Sequence, residues 1–259
     1  MSSNKVLLVG ETWISRAIHI KGIDEFSSTT FHNGATDFVL AMKRKGIDIE
    51  QLEAHLVPEK FPRKKRELDE YSVIILSDIG SNSLLLSSNV WLKSESEPNA
   101  IFALCDWVKS GGSLLMVGGY LSFQGFQGIA NYYNSGIESV LPVEMLPSDD
   151  RVENPQGLEL EFVTDHQILK STKDYIKKTR KSPPKLLGHN KTKLKPDSEL
   201  LISLNEDPLL AICEIEKGRS AVWTSDIGPH WCPKEFIDWE GYELILSSLI
   251  KWLMGGKSK

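Results

Sequence analysis

The feature that most limits how this chain can fold is an alternation: apolar runs of strand length are interleaved with stretches of helical periodicity. The first run is Lys5 to Glu11, KVLLVGE. The stretch ATDFVLAMKRKG follows a polar segment, Thr12 to Phe31, that reads as a long loop; it sets Phe38, Val39 and Met42 at helical spacing and stops at Gly46, a natural C-cap. DIEQLEAHLV reads as a second strand and YSVIILSDIG as a third, the most apolar of the set. NAIFALCDWVKSGG puts Ile101, Leu104, Cys105 and Val108 on one helical face and ends at Gly111-Gly112. SLLMVGG is a fourth strand. Strands that alternate with helices form parallel βαβ units, with helices on both faces of one sheet. The expected class is therefore α/β, with a mostly parallel central sheet.

The rhythm changes after about residue 139. Segments 139–146 and 157–163 look like short strands on either side of PSDDRVENPQG. The lysine-rich run from Lys170 to Pro196 reads as a surface excursion. ELLISLNEDPLLAICEIEKGRSAVWTSDIG holds three strand-like runs joined by short turns at 205–208 and 216–219, a β-meander. The last helix has Leu244, Ile245, Leu249 and Leu253 on its apolar face. No repeat of constant period is present, although the tetrapeptide Ser-Asp-Ile-Gly occurs twice, at 77–80 and 225–228.

Composition narrows the partners. With 30 Lys and Arg against 35 Asp and Glu, the formal net charge of −5 argues against general nucleic-acid binding, which depends on neutralising phosphates. The basic clusters at 63–66 and 177–195 read as a solvated face and a flexible loop. No run approaches eighteen apolar residues, so no membrane span is expected, and the short N-terminal apolar run does not make a leader peptide. Three scattered cysteines without a CxxC read as reduced thiols in a cytoplasm. The oligomeric state is not legible.

In an open parallel sheet, ligands bind at the carboxyl ends of the strands, where the strand order reverses. At those ends stand Glu11, Asp78, the Gly118-Gly119-Tyr120 turn and, after SAVWT, Asp226 followed by His230. Parallel strands would put Glu11, Asp78, Asp226 and His230 on one rim. Carboxylates beside a histidine can do acid–base work, bind a metal or hold a polar ligand. The candidate catalytic residues are Asp78, Asp226 and His230. Glu11, Trp13, Asn82, Tyr120, Ser122 and Trp231 are the candidates for contacting a small polar ligand. The plainer reading is that Asp78 and Asp226 are caps or Asx-turns, each bonding backbone N–H groups two or three residues on. No HxH or HExxH spacing supports a metal, and GGYLSFQGFQG matches neither a P-loop nor GxGxxG, so neither metal nor cofactor is expected.

Taken together, GETW, LSDIGSNSLLL, WVKSGGSLLMVGGYLSFQG, VLPVEMLPSDDRVE and EKGRSAVWTSDIGPHWCPKEFIDWEGY resemble the putative glutamine amidotransferase family, whose members look like class I glutamine amidotransferases and ThuA-like proteins. The resemblance implies a flavodoxin-like three-layer sandwich with a C-terminal β-meander extension. It implies one such domain over 1–259, with the excursion around 165–198. A class I glutaminase needs a cysteine on a G-x-C-x-G strand-to-helix turn. The matching turn here is Gly118-Gly119-Tyr120, so glutaminase activity is not expected. Ser122 lacks the flanking glycines of a nucleophile elbow, and Cys232, two residues from His230, is the remaining thiol candidate. The alternatives are a non-catalytic subunit or scaffold, a carbohydrate-related hydrolase, and an active amidotransferase with a displaced nucleophile. The four tryptophans near the rim segments, Trp13, Trp223, Trp231 and Trp239, are core or loop anchors or else an aromatic wall for a sugar-like ligand.

Overall fold

A computed structural model describes residues 5–255; residues 1–4 and 256–259, the ends of the expected 1–259 span and the start of the N-terminal stretch, lie outside the described residues. Five strands run parallel: β1 (Val6–Gly10), β4 (Ile49–Leu52), β5 (Val73–Ser77), β6 (Ser113–Val117) and β14 (Gly218–Trp223). The antiparallel strands β13 (Asp207–Ile215), β12 (Glu199–Leu204) and β9 (Glu161–Phe162) extend the sheet beyond β14. The order across the sheet is β4-β1-β5-β6-β14-β13-β12-β9. The chain moves from β1 to one side and then returns to build on the other, so the order reverses between β1 and β5.

β1, β5, β6 and β14 are buried on both faces, which explains their near-continuous apolar sequences. Alternate residues feed two cores. Val6 and Leu8 pack with Phe38, Met42, Ile245 and Leu249 on one face. Leu7 and Val9 pack with Ile101, Leu104, Cys105 and Val108 on the other. The first core is covered by helices α1 (Thr36–Arg44), α3 (Gln167–Thr179) and α4 (Glu240–Met254), the second by α2 (Ala100–Lys109). This is the three-layer α/β arrangement, and the helix faces are those that the periodicity indicates, except that Val39 and Leu244 are only half-buried. The C-cap of α1 is Lys45, and Gly46 after it has φ +78°, a conformation open to glycine and strained for other residues. Asn99 caps α2 by accepting from the N–H groups of Ile101 and Phe102.

Three segments differ from the sequence reading. The expected polar loop 12–31 is a β-hairpin, β2 (Thr12–Lys21) paired with β3 (Asp24–Asn33). Its turn has Gly22 at φ +66° as the first of two central residues. The segment taken as a connector between short strands holds an eight-residue strand, β8 (Arg151–Leu158), while the strand expected at 139–146 shrinks to β7 (Val143–Glu144). The lysine-rich excursion contains α3, then β10 (Leu186–Asn190) and β11 (Lys193–Leu194). β10 pairs with β8 and buries His189 and Asn190. Lysines dominate the composition of that run and hide six residues that belong to the interior: Thr172, Leu186, Gly188, His189, Asn190 and Thr192.

Candidate functional site

Register sets the rim. Gly10 pairs with Ser77, Ser77 with Val117, and Val117 with Trp223. Glu11, Asp78 and Gly118 therefore leave the sheet at one level, and Asp226 follows two residues further along its own loop. Glu11 and Asp78 stand at the reversal point between β1 and β5, where open α/β sheets leave a crevice. Both take left-handed backbone, φ +55° and +44°, to turn out of the sheet. For non-glycine residues this conformation is uncommon and costs about 1 kcal/mol or more.

Glu11 is buried. Its Oε2 accepts from the Ser77 hydroxyl at 2.5 Å, and its backbone N–H donates to the Ser77 carbonyl at 2.9 Å. Glycines make room for it: a Cβ on Gly34 would sit 2.7 Å from Glu11 Oε1. Burial, and then the nearby charges of Asp226 and Asp78, push the Glu11 carboxyl well above the usual carboxylate range; the Ser77 hydrogen bond opposes this. Asp78 Oδ1 accepts from the Leu121 N–H at 2.7 Å, and the Asp78 N–H donates to Ser122 Oγ at 3.1 Å. Gly119 is required here, because a Cβ on it would come within 2.7 Å of Asp78 Oδ1. Burial raises the Asp78 carboxyl to about 6; Asp226 adds to the rise, and the Leu121 N–H and His230 resist it.

Asp226 is buried, and its Oδ2 accepts from the Trp231 N–H at 2.9 Å and lies 3.3 Å from His230 Nδ1. The Asp226 hydrogen bond raises the His230 imidazole above its ordinary value against partial desolvation. The His230 ring stacks on Trp231 and meets Tyr120 edge-on, with centroids 4.2 Å apart. Neither aspartate is spent as a local cap. Their carboxylates bind N–H groups 43 and 5 residues on, rather than the two or three of an Asx-turn.

Six of the nine candidate residues line one open cleft of about 640 Å³: Glu11, Trp13, Asp78, Tyr120, Asp226 and His230, joined by Leu121, Phe126 and Pro229. Three candidates do not line it. Ser122 is buried beneath Asp78 with its hydroxyl accepting from the Asp78 N–H, so it is a support for that loop. Trp231 is buried and donates its indole N–H to Glu153 Oε2 at 3.0 Å, which makes it a backing for Tyr120 and His230. Asn82 is exposed on the short helix Ser81–Leu85, apart from the cleft lining. Trp13 stacks on His32 at the root of the hairpin, while Trp223 and Trp239 are core residues.

The sequence reading missed the residues that hold the glycine-rich loop. Asn190 Nδ2 donates to Asp150 Oδ1 at 2.8 Å and to the Gly119 carbonyl at 3.2 Å, and Asn190 Oδ1 accepts from the Gly119 N–H at 2.9 Å. Asp150 accepts from the N–H groups of Gln124 and Gly125. Glu153 bridges Tyr120 Oη at 2.7 Å and the Trp231 indole, and Arg151 lies over the Tyr120 and Phe126 rings. The signal available was the acidic run Asp149-Asp150 ahead of Arg151: Arg151 pairs with Asp149, which leaves Asp150 without a cation in that stretch.

None of the three cysteines lines the cleft. Cys105 and Cys213 belong to α2 and β13. Cys232 is fully buried, and burial, with the negative charges of Asp226 and Glu11, raises its thiol well above the usual range. Among the described residues no three His, Cys, Asp or Glu side chains are disposed to hold one metal ion, and no helix is long and apolar enough to cross a membrane.

Fold and rim define a class I glutamine amidotransferase-like α/β protein. The family model described as "Putative glutamine amidotransferase" matches residues 5–255, and the chain belongs to that family. A cytoplasmic protein from Salmonella typhimurium is 38% identical, with a TM-score of 0.89 over 96% of this chain and 98% of that one. Another cytoplasmic protein, from Salmonella typhimurium LT2, is 37% identical, with a TM-score of 0.88 over 96% and 99%. A protein from Bacteroides uniformis described as putative ThuA-like shares the fold at 12% identity, with a TM-score of 0.50 over 96% and 91%. No curated protein matches the chain.

Proposed function

We propose that this chain binds a small polar ligand in the cleft between the two Ser-Asp-Ile-Gly loops and does not hydrolyse glutamine. The observation that carries this is the composition of the cleft: carboxylates of Glu11, Asp78 and Asp226 beneath an apolar and aromatic wall of Trp13, Tyr120, Leu121, Phe126 and Pro229. Carboxylates accept hydrogen bonds, and aromatic faces pack against C–H groups, so the cleft suits a hydroxyl-rich ring such as a sugar. Where glutaminase chemistry needs an activated thiolate, the β6 turn offers Gly118-Gly119-Tyr120, and the Cys232 thiol is buried and held protonated.

Three acidic groups of different character also supply acid–base chemistry. Burial raises the Glu11 carboxyl well above the usual carboxylate range, which favours its protonated, proton-donating form. Asp78 exchanges protons near pH 6. Asp226 orients His230, and its hydrogen bond raises the imidazole above its ordinary value. The reading is tested by a melting-temperature screen across sugars and amino acids, run alongside an ammonia-release assay with glutamine. The expected result is no ammonia and at least one sugar that raises Tm in the wild type but not in Asp226→Asn. Ammonia release that Cys232→Ser abolishes would overturn the reading in favour of a displaced nucleophile.

A further inference from the structure

The β2–β3 hairpin stands apart from everything else in the fold. Ten residues of each strand pair in register from Thr12↔Asn33 to Lys21↔Asp24, a ribbon about 30 Å long. It is tied to the body at its root: Thr12 Oγ1 accepts from the Ala54 N–H, Asn33 bonds Gln51, and Phe31 meets His55 edge-on. Beyond the root, the residues from Ile14 to Thr30 are exposed, apart from His19, which is partly covered by Phe26.

Alternation gives the ribbon two unlike faces. One carries the stacked pairs Trp13–His32 and His19–Phe26, which cover each other. The other carries Ile14 with Phe31, Ile18 with Ser27 and Ile20 with Glu25, and ends in Ile23 at the tip. Ile18 is 62% exposed, Ile20 71% and Ile23 fully exposed. A two-stranded ribbon is at best marginally stable in water, and a row of bare isoleucines along one face needs a cover. On that face Ile14, Ile18, Ile20, Ile23 and Phe31 each leave about half or more of their surface bare.

The charges on that face indicate what covers it. Arg16 and Glu25 are its only charged residues, they make no ion pair among the described residues, and they sit at unequal distances from the root, two pairs either side of Ile18. A two-fold axis through the Ile18–Ser27 pair, with two ribbons antiparallel and face to face, sets Arg16 over the Ile20–Glu25 pair of a second copy. It also sets Ile18 over Ile18, and Ile14 and Phe31 over the tip isoleucine. A surface that complements itself under a two-fold rotation is the requirement of an isologous dimer. We infer that the hairpin is a dimerisation arm, and that the occupant of its isoleucine face is the same arm of a second copy of this chain.

The test is the mass in solution of the full chain by sedimentation equilibrium at tens of micromolar. The wild type is expected at twice the 29.1 kDa chain mass. Ile18→Asp is expected at the single-chain mass with unchanged far-UV circular dichroism, because Ile18 lies outside both cores. Arg16→Glu should weaken association at least tenfold, and Arg16→Glu with Glu25→Arg should restore it. A wild type of single-chain mass overturns the inference. So does an assembly whose mass Ile18→Asp leaves unchanged, or a double charge exchange no tighter than Arg16→Glu alone.

Discussion

The Ser-Asp-Ile-Gly sequence ends β5 and recurs just past β14, and the two copies meet matching demands from opposite sides of the sheet. Ile79 packs into the core under α2, Ile227 into the core under α4. The carbonyl of each isoleucine accepts from a buried tyrosine hydroxyl at 2.7 Å, Tyr132 for Ile79 and Tyr242 for Ile227. Each aspartate accepts from one or more N–H groups through a single oxygen. The copies differ in register. Ser77 is the last residue of its strand and donates to Glu11, whereas Ser225 lies two residues beyond its strand and donates to the Gly188 carbonyl. That offset puts Asp78 in left-handed backbone at the strand end, while Asp226 sits further out, beside His230. Four identical letters thus give two unlike carboxylates that converge from different loops on one cleft.

Substitutions can separate the two copies. The largest difference is expected at the glycines. A Cβ on Gly228 would lie 2.5 Å from the Gly34 carbonyl oxygen, a backbone atom, whereas around Gly80 nothing comes closer than 3.6 Å. Gly228→Ala should cost about 3 kcal/mol in urea unfolding, and Gly80→Ala less than about 0.5 kcal/mol. Equal losses would mean that the two loops are packed alike.

The two aspartate substitutions should differ in sign and in the pH window of their effect. Asp78 has its carboxyl raised to about 6, so ionised Asp78 opposes folding. The cost grows from about pH 4, its ordinary value, to about pH 6, and is constant above. Asp78→Asn should therefore be near neutral at pH 4 and stabilising at pH 8, by on the order of 2 kcal/mol at most, since the side chain is only partly sheltered. Asp226 acts through His230, whose imidazole is raised. That stabilisation is complete below about pH 6.5 and lost as pH rises through the raised value. Asp226→Asn should be more destabilising at pH 5.5 than at pH 9. Thermal unfolding of both variants from about pH 4 to about pH 9 reads the two windows, and effects of one sign over one shared window would break the distinction.

The smallest expected effect probes what the copies share. Tyr132→Phe and Tyr242→Phe each leave one buried carbonyl without its donor, for about 1 to 2 kcal/mol apiece. On opposite faces the two losses should add within about 0.5 kcal/mol in the double variant. A marked shortfall would show that the loops unfold as one unit.

Much of this arrangement was legible in the sequence. Strands buried on both faces announce themselves as unbroken apolar runs, and Val73 to Ser77 and Ser113 to Val117 are such runs. The helices showed in their periodicity, and the meander in its turns. The hairpin did not, because Ser15, Arg16, Ala17 and His19 dilute the alternation of Ile14, Ile18 and Ile20, and an exposed ribbon needs no apolar run. β10 was hidden by the lysines around it. Of the candidate site residues, Glu11 and Asp78 directly after their strands reached the cleft, since a strand end points its next side chain at the rim, and Tyr120, Asp226 and His230 reached it from further along their loops. Ser122 and Trp231 lie further along their loops, where the path of the backbone decides, and both turned inward.

The sequence by itself determined the α/β class, the strands that form the parallel centre and the acidic residues at their ends, because burial on both faces and helical spacing are local properties. Only the tertiary structure decided that Asn190 and Asp150, from either side of the lysine-rich helix, clamp the glycine loop. It also decided that Glu11, Asp78 and Asp226 line one cleft. Their proximity comes from the strand order and from a two-residue difference in register between the two loops, and neither is encoded in any single stretch of the chain.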